Sequence, residues 1–270
     1  MEYINLSGYK FKKLTNLEAL RTSLKDYYRS IGLKGTILLS HEGINVFVAG
    51  THEVIETFKS SLTEFNLPPI SFKASPSNEI PFKRMLVKIK PEIISMGEEN
   101  IDPENKPAPY LSPQELKEWY DAGKDFIILD TRNDYEVHLG KFKNAVDLNI
   151  DHFRVFPKAC KALPQEWKNK PIVTYCTGGI RCEKAASYLQ TLGFDEVYQL
   201  DGGILNYFET CDKAHFEGEC FVFDKRIAVN NTLEETPTVQ CYKCRMPVTP
   251  AEQQSDKYRI HEYCPSCFES

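Results

Sequence analysis

One short segment of this sequence combines the residue types of a reactive thiol site. Cys176 follows the apolar run 171–175 and begins the stretch Cys-Thr-Gly-Gly-Ile-Arg, after which a helical pattern starts. Backbone N–H groups converge between a strand and a helix N-terminus, and their field lowers a thiol pKa. Glycines let the backbone wrap a bound group, and Arg181 adds a positive charge. We therefore expect Cys176 to be a nucleophile whose loop binds the reacting group. The loop residues are Thr177, Gly178, Gly179, Ile180 and Arg181.

Three further residues are expected to support this loop. Asp130 and Arg132 follow the apolar run 126–130, and sites in parallel sheets lie at the carboxyl ends of strands. Cys182 lies six residues after Cys176, where it can either resolve an oxidised Cys176 as a disulfide or pack as a small apolar residue. The alternative for the whole segment is a structural turn with a buried cysteine, which the succession of strand, loop, arginine and helix argues against.

A second group of cysteines occurs near the C-terminus. Its members are Cys241, Cys244, Cys264 and Cys267, two Cys-x2-Cys pairs separated by nineteen residues. Pairs at this spacing can close a tetrahedral four-thiolate zinc site, which leaves no open coordination position and is therefore structural. The alternatives are two loose, redox-active pairs, or a site in which His261 replaces one thiolate.

The elements that must position these residues divide the chain. Residues 1–97 follow the order β-α-β-β-α-β of a ferredoxin-like (acylphosphatase-like) α+β domain, and Thr15 with Glu18 predicts a capping box for its first helix. Polar, proline-containing residues 98–109 indicate a linker. In residues 110–220, strands alternate with helices, which is typical of an α/β domain with a parallel sheet. Residues 221–270 form a small cysteine-rich extension.

Composition limits the function classes. The chain has 270 residues, 41% hydrophobic and 26% charged, with a net charge of -5, which argues against disorder and against a polycation that binds nucleic acid by bulk charge. We expect no membrane-spanning segment, no membrane partner and no secretory signal, hence a cytoplasmic protein. In a reducing cytosol, nine cysteines indicate thiols or metal ligands rather than disulfides.

The middle domain resembles the rhodanese superfamily. The features are Asp130-Thr131-Arg132, Glu136, Gly140, Ala145, the CTGGIR loop and Asp201-Gly202-Gly203. The resemblance implies a loop cysteine that carries a persulfide sulfur. Related phosphatases have one more residue between cysteine and arginine, so the shorter loop favours sulfur over phosphate.

Nearly the whole chain resembles the rhodanese-domain tRNA uridine hydroxylases. The matching segments are HEGIN with its following AG, FKR…LVKIK, RNDYEV, YCTGGIRCEKA, VYQLDGGI and GECFVFD. The family usually has glycine where this chain has Val46, a departure confined to a hairpin. The resemblance implies that molecular oxygen, as co-substrate, places a hydroxyl on C5 of the wobble uridine, and that Cys176 is essential.

The residues explain less of this reaction than the resemblance implies. C5 of uridine does not react with ground-state oxygen unaided, and the sequence has neither a dinucleotide fingerprint nor an obvious set of two histidines and a carboxylate. One hypothesis is that the Cys176 thiolate adds to C6 and makes C5 carbanion-like. The other is that a Cys176 persulfide takes part. The electron or sulfur donor is open.

The expected partner is a tRNA anticodon stem-loop. Its phosphates require basic residues, and the candidates are Lys10, Lys12, Lys83, Arg84 and Lys88. An ordinary solvated sheet face is an equally good explanation of these positions. Two other functions compete: a sulfurtransferase with a persulfide on Cys176, and a non-enzymatic RNA or protein adaptor, against which the complete loop argues.

Overall fold

The computed structural model describes residues 3–98 and 100–268. The N-terminal part contains β1 (Tyr3–Phe11), α1 (Leu17–Ser30), β2 (Lys34–Ser40), β3 (Gly43–Gly50), α2 (His52–Glu64), β4 (Ser71–Ser77) and β5 (Met85–Ile89). The sheet order is β4-β1-β3-β2-β5, antiparallel except for β2 and β5. The predicted ferredoxin-like plan is therefore confirmed, and β5 extends it at one edge.

Both helices cover one face of this sheet. Leu24 and Tyr28 of α1 and Phe58 of α2 are completely buried in one apolar cluster with Ile37 and Val46. Strand side chains alternate between faces, so the opposite face carries a different set. That set includes Asn5, Ser7, Tyr9, Asn45 and Phe47, and it faces the rest of the molecule.

The starts of α1 and α2 are formed in different ways. Thr51 caps α2 by accepting a hydrogen bond from the Val54 N–H. The prediction of a capping box formed by Thr15 and Glu18 was wrong, because α1 begins one residue later, after Asn16. The Asn16 backbone is left-handed (φ 52°), and its side chain makes no capping hydrogen bond. Asparagine tolerates this conformation better than most residues, so the chain turns one residue later than the pattern predicted.

The middle part is a covered parallel sheet. Its elements are β6 (Tyr110–Leu111), α3 (Pro113–Asp121), β7 (Ile127–Asp130), α4 (Asp134–Val137), β8 (Gly140–Phe142), β9 (Val146–Asp147), α5 (Phe156–Cys160), β10 (Ile172–Tyr175), α6 (Ile180–Thr191), β11 (Val197–Leu200), α7 (Gly203–Cys211) and β12 (Phe216–Gly218). The sheet order is β6-β11-β10-β7-β9, with all pairs parallel. Separate apolar clusters flank β10, one containing Val173 and Tyr175 and the other Ile172. The predicted α/β architecture is confirmed.

Two helices frame the strand ends of this sheet. Ser112 and Glu115 form a capping box at the start of α3, with Pro113 as its first residue. α6 begins at Ile180, so that Arg181 and Cys182 belong to its first turn. The polar residues Arg181, Glu183, Lys184 and Ser187 of α6 are buried, which indicates that other elements enclose the first two turns of this helix.

The C-terminal part contains four short strands: β13 (Cys220–Phe221), β14 (Ala228–Val229), β15 (Val239–Gln240) and β16 (Pro247–Val248). β13 and β14 form a hairpin, whose Val222 and Val229, with Leu233, join an apolar cluster of the parallel-sheet part. A separate small cluster surrounds the terminal cysteines. Among residues 3–98 and 100–268, no helix combines the length and the apolar character that a bilayer crossing requires.

Candidate active site and terminal cysteine cluster

Cys176 lies at the carboxyl end of β10, in the loop that leads into α6. Its side chain is completely buried, and its Sγ accepts a hydrogen bond of 3.1 Å from the Gly179 N–H. Burial raises the pKa of this thiol, but the Cys182 thiol, the charge of Arg181 and the backbone N–H groups of Arg181 and Cys182 outweigh burial and lower the pKa to about 6. The loop therefore stabilises a thiolate at neutral pH.

The first turn of α7 holds the Cys176 loop in place. The N–H groups of Ile204 and Leu205 donate to the carbonyl oxygens of Cys176 and Thr177, at 3.0 and 3.1 Å. Gly203 has φ 65°, and an added Cβ would lie 2.4 Å from the Cys176 oxygen. Only glycine permits this approach, which explains the Asp201-Gly202-Gly203 segment in physical terms.

Arg181 lies beside the loop, but a carboxylate holds its guanidinium. Its Nη1 and Nη2 donate to the two Glu136 oxygens at 2.5 and 2.7 Å, and neither side chain is more than 5% exposed. Glu136 also accepts from the Thr177 hydroxyl at 3.2 Å and from the Asn133 N–H at 3.1 Å. The pair therefore fixes one wall of the loop, and Arg181 is not a free anion ligand. Sequence reasoning gave Glu136 no role, although its place three residues after Asn133 is a capping signal.

Asp130 and Arg132 form a buried support under the strand ends. The Arg132 guanidinium donates to Asp130 at 2.6 and 2.9 Å and to the Gly140 carbonyl at 2.7 Å. The Tyr175 hydroxyl donates to Asp130 at 2.5 Å, which ties the end of β10 to the end of β7. Asp130 and Arg132 therefore hold the ends of β7 and β10 in place and support Cys176 indirectly.

Cys182 lies in the first turn of α6 and is completely buried. Burial and the hydrogen bond to Cys176 raise the pKa of Cys182 well above its ordinary range, so it remains a thiol that donates toward the Cys176 thiolate. The Thr131 hydroxyl lies 3.8 Å from its Sγ. Of the other cysteines, Cys160 and Cys220 are buried, and burial raises each pKa to about 12, as expected for packing residues.

The next two residues of α6 connect the loop to the N-terminal sheet, a contact that the sequence did not predict. Glu183 accepts hydrogen bonds from the hydroxyls of Tyr9 in β1 and Tyr110 in β6, at 3.0 and 2.9 Å. The Lys184 ammonium contacts Glu42 at 2.7 Å and Glu92 at 2.6 Å. Glu42 belongs to the HEGIN turn between β2 and β3, so that turn serves to hold α6.

A cleft of about 1700 Å³ lies between the two sheets, and Cys176, Thr177, Gly178 and Arg181 form part of its wall. Ile180 also lines the cleft, and a Cβ added at Gly179 would lie 2.9 Å from the Tyr9 hydroxyl. An added Cβ at Gly178 would meet no atom within 4 Å.

The basic candidates fall into two groups. Lys10 and Lys12 line the cleft, although Lys12 lies beyond the end of β1 and is paired with Glu104 at 2.6 Å. Lys88 is exposed on β5, beside Leu38 of the cleft wall. Lys83 and Arg84 are exposed before β5 begins, about 20 Å along the strand from Lys90 at the cleft. Lys90, just beyond β5, also lines the cleft, together with three basic side chains to which the sequence gave no role: Lys73, Arg154 and Arg226.

The four terminal cysteines converge, with their Sγ atoms all within 4.8 Å of one another. Cys241 and Cys267 are 3.8 Å apart, Cys244 and Cys264 3.5 Å, and Cys264 and Cys267 3.8 Å. A tetrahedron with Zn–S bonds of about 2.3 Å has edges of about 3.8 Å, so the donor set fits this metal. The predicted cluster is confirmed as a group of four sulfurs that can bind a metal, and His261 is not a member of it.

Comparisons with known proteins agree with this architecture. Residues 3–93 match the UPF0176 acylphosphatase-like domain, and residues 112–210 match the rhodanese-like domain. The fold and site are thus those of a rhodanese-type protein with an acylphosphatase-like N-terminal domain. A tRNA uridine(34) hydroxylase of Cupriavidus metallidurans is 48% identical, covering 100% of this chain and 98% of the relative. Those of Cupriavidus taiwanensis and Paraburkholderia xenovorans are 47% and 45% identical, each over 99% of this chain and 97% and 96% of the relative. The chain belongs to the tRNA uridine(34) hydroxylase family.

Proposed function

We propose that this protein is an enzyme that hydroxylates C5 of the wobble uridine, position 34, of tRNA, with Cys176 as the catalytic residue. The observation that carries the proposal is a buried thiol of lowered pKa, about 6, on the wall of a cleft that both domains form. The names of the full-length relatives support the substrate and the reaction. Such a cleft gives a flipped nucleotide a place away from solvent, as enzymes that modify a base require.

In the proposed reaction, the Cys176 thiolate adds to C6 of the uracil. The new S–C6 bond uses the thiolate electron pair, and the electrons of the C5–C6 double bond move to C5, which becomes carbanion-like. The carbanion-like C5 forms a bond to one atom of molecular oxygen. A reductant that donates two electrons and two protons then cleaves the O–O bond, which leaves one oxygen on C5 as the hydroxyl and converts the other to water. Loss of the C5 proton and of Cys176 restores the double bond. The chain contributes the thiolate, its orientation and the exclusion of water.

A persulfide on Cys176 is a second candidate state, and the burial of Cys176 favours it. Its Sγ lies under the loop backbone, so a base reaches it only if the loop adjusts. A second sulfur bonded to Sγ extends about 2 Å further toward the cleft. This state also supports the alternative function, a rhodanese-type sulfurtransferase.

The substrate RNA is proposed to be the anticodon stem-loop. Lys10 and Lys90 at the cleft, with Lys88 on β5, supply charge for the phosphates of the loop. Lys83 and Arg84 are placed to contact the stem, about 20 Å further on. Since tRNA is the substrate, we expect the protein in the cytoplasm.

The terminal cysteines are proposed to hold a structural zinc ion. The four sulfurs have tetrahedral spacing, and the small apolar cluster around them contains little besides Val248, Met246 and Tyr258. A bound metal supplies the folding free energy that such a small core lacks. Four thiolates leave no open position, so oxygen chemistry is assigned to the cleft.

Mass analysis of tRNA nucleosides tests the proposed function. A strain that lacks this gene is expected to lose 5-hydroxyuridine derivatives at position 34, and the intact gene is expected to restore them. Unchanged levels in the deletion strain contradict the hydroxylase and leave the sulfurtransferase. Purified protein with a transcribed tRNA, under air and under nitrogen, tests the oxygen requirement separately.

A further inference from the structure

One aromatic side chain in the cleft has no role in the site described so far. Phe223 lies in the β13–β14 hairpin, within the segment Gly-Glu-Cys-Phe-Val-Phe-Asp at 218–224. It is 46% exposed and lines the same cleft as Cys176. An exposed phenylalanine is unfavourable in water, so a ring that faces a substrate cleft suggests an apolar or aromatic ligand.

The Phe223 ring contacts residues of both domains and remains partly exposed. Phe221 packs against it at a centroid distance of 5.2 Å in an edge-on arrangement, and Phe47 of the N-terminal sheet lies 6.4 Å away. The Arg181 guanidinium carbon is 5.6 Å from the ring centroid. Residues from both domains therefore support the ring, and one of them belongs to the Cys176 loop.

The hairpin that carries this ring is anchored on both sides. The Phe221 carbonyl accepts a hydrogen bond from the Thr177 hydroxyl at 3.4 Å, which connects it to the Cys176 loop. Asp224 binds the Arg226 guanidinium at 2.6 and 2.9 Å, and the same guanidinium donates to the Ser75 hydroxyl of β4 at 2.7 Å. Arg226 is only 4% exposed. Such anchoring gives Phe223 a defined position relative to both Cys176 and the N-terminal sheet.

We propose that Phe223 is the stacking platform for the target uracil. The proposal rests on the proposed function and adds the residue that binds the flipped base. A pyrimidine is a flat ring that stacks on aromatic side chains, and single-stranded RNA is commonly read in this way. The occupant is an RNA base rather than an apolar peptide because the cleft also carries Lys10, Lys90 and Arg154, which suit phosphates.

Photocrosslinking locates the base directly. An anticodon stem-loop RNA with 5-iodouridine at position 34 is irradiated with the full-length protein, and the modified peptide is identified by mass spectrometry. We expect the adduct on Phe223, because halogenated uracils crosslink to the aromatic ring on which they stack. An RNA with 5-iodouridine in the stem is the control and is expected to give no adduct there. An adduct confined to another residue overturns the proposal.

Kinetics test the same residue without a modified base. Phe223→Ala is expected to lower kcat/KM for tRNA hydroxylation roughly 10- to 100-fold, the effect of losing one stacked base, whereas Phe223→Tyr and Phe223→Trp keep it within about threefold. Ile260→Ala, at an exposed apolar position outside the cleft lining, is the matched control. An unchanged kcat/KM in Phe223→Ala overturns the proposal.

Different results contradict the proposed function of the protein and the proposed role of Phe223. Inactive wild-type protein contradicts the proposed function, whereas an active wild type with an equally active Phe223→Ala variant contradicts only the role of Phe223. Because Phe223 is nearly half exposed, its truncation is expected to leave the thermal unfolding midpoint unchanged. An activity loss accompanied by an equal loss in Phe223→Tyr and Phe223→Trp indicates a packing role and also overturns the proposal.

Discussion

The two cysteine sites of this molecule use the same side chain in opposite ways. At the end of β10, one thiol is surrounded by backbone N–H groups and a neighbouring thiol that donate hydrogen bonds to it, with the charge of Arg181 nearby. In the C-terminal part, four sulfurs lie within 4.8 Å of one another, and neighbouring sulfurs are as close as 3.5 to 3.8 Å. The loop around Cys176 stabilises a single thiolate. In the terminal cluster several thiolates would repel one another, and only a shared cation can balance their charge.

This difference shows that the surroundings of a cysteine decide its chemistry. Cys160 and Cys220 are as buried as Cys176, yet their pKa values rise while that of Cys176 falls. Burial alone favours the neutral thiol, so the hydrogen-bond donors of the loop determine the result. The following variants test whether the two sites are as independent as this comparison suggests.

Removing the terminal metal site is expected to have the largest effect on folding. Cys264→Ser should lose the bound zinc and unfold the segment around the cluster, because structural zinc contributes on the order of 10 kcal/mol in small domains. Metal analysis and limited proteolysis measure this, with Cys160→Ser as a control for a cysteine outside the cluster. Full-length protein that contains no zinc, with four freely reactive tail thiols, contradicts the assignment.

Breaking the pair under the loop is expected to destabilise the middle domain. Glu136→Gln leaves the buried Arg181 charge without its partner, at a cost of about 3–5 kcal/mol. Thermal or denaturant unfolding measures the change. Lys117→Gln removes a salt bridge of similar length to the exposed Asp121, and is expected to cost less than about 1 kcal/mol. Equal losses of stability in the two variants would show that burial does not strengthen the ion pair between Glu136 and Arg181.

The pH at which Cys176 ionises is expected to distinguish it from an ordinary thiol. Its pKa is lowered from the ordinary value of 9.0 to about 6, so Cys176 should be a thiolate between these values, where an ordinary thiol is protonated. The ultraviolet absorbance of wild type minus Cys176→Ser should therefore rise with pH around a midpoint near 6, and the subtraction removes the tail thiols. A midpoint near 9 contradicts the loop electrostatics.

The smallest effects are expected from charge reversal on the N-terminal sheet. Changing Lys83 and Arg84 together to Glu should weaken tRNA binding several-fold and reduce its salt dependence, with the fold intact. Arg29→Glu on α1, the helix on the sheet face away from the cleft, is the control and should have little effect. Fluorescence anisotropy with labelled tRNA at several salt concentrations measures both. Unchanged affinity would show that Lys83 and Arg84 do not contribute to tRNA binding.

Local features of this chain were predictable from the sequence. The cysteine loop and the Cys-x2-Cys pairs depend on residues close together in the chain, whose patterns determine a turn before a helix or a metal knuckle. The error at Thr15 arose because two adjacent residues, Thr15 and Asn16, both suit a helix start, and tertiary packing selected the second.

Contacts between distant residues were not predictable. Tyr9 and Glu183 are 174 positions apart, and no local pattern indicates that β1 contacts the first turn of α6. The same holds for Lys184 with Glu42 and for Phe223 with Phe47, which depend on how the two sheets face each other. Glu136 is an intermediate case, because the local sequence pattern indicates its capping position but not its ion pair with Arg181.

We expect Cys176 to carry out uridine hydroxylation in the cleft, whereas the terminal cysteines are expected to have only a structural role. The most direct test is nucleoside mass analysis of tRNA treated with purified wild-type and Cys176→Ser protein of equal zinc content. Wild-type protein should form 5-hydroxyuridine at position 34 and Cys176→Ser should form none, although both bind tRNA equally. Hydroxylation retained by Cys176→Ser would contradict both the thiolate and the persulfide mechanisms.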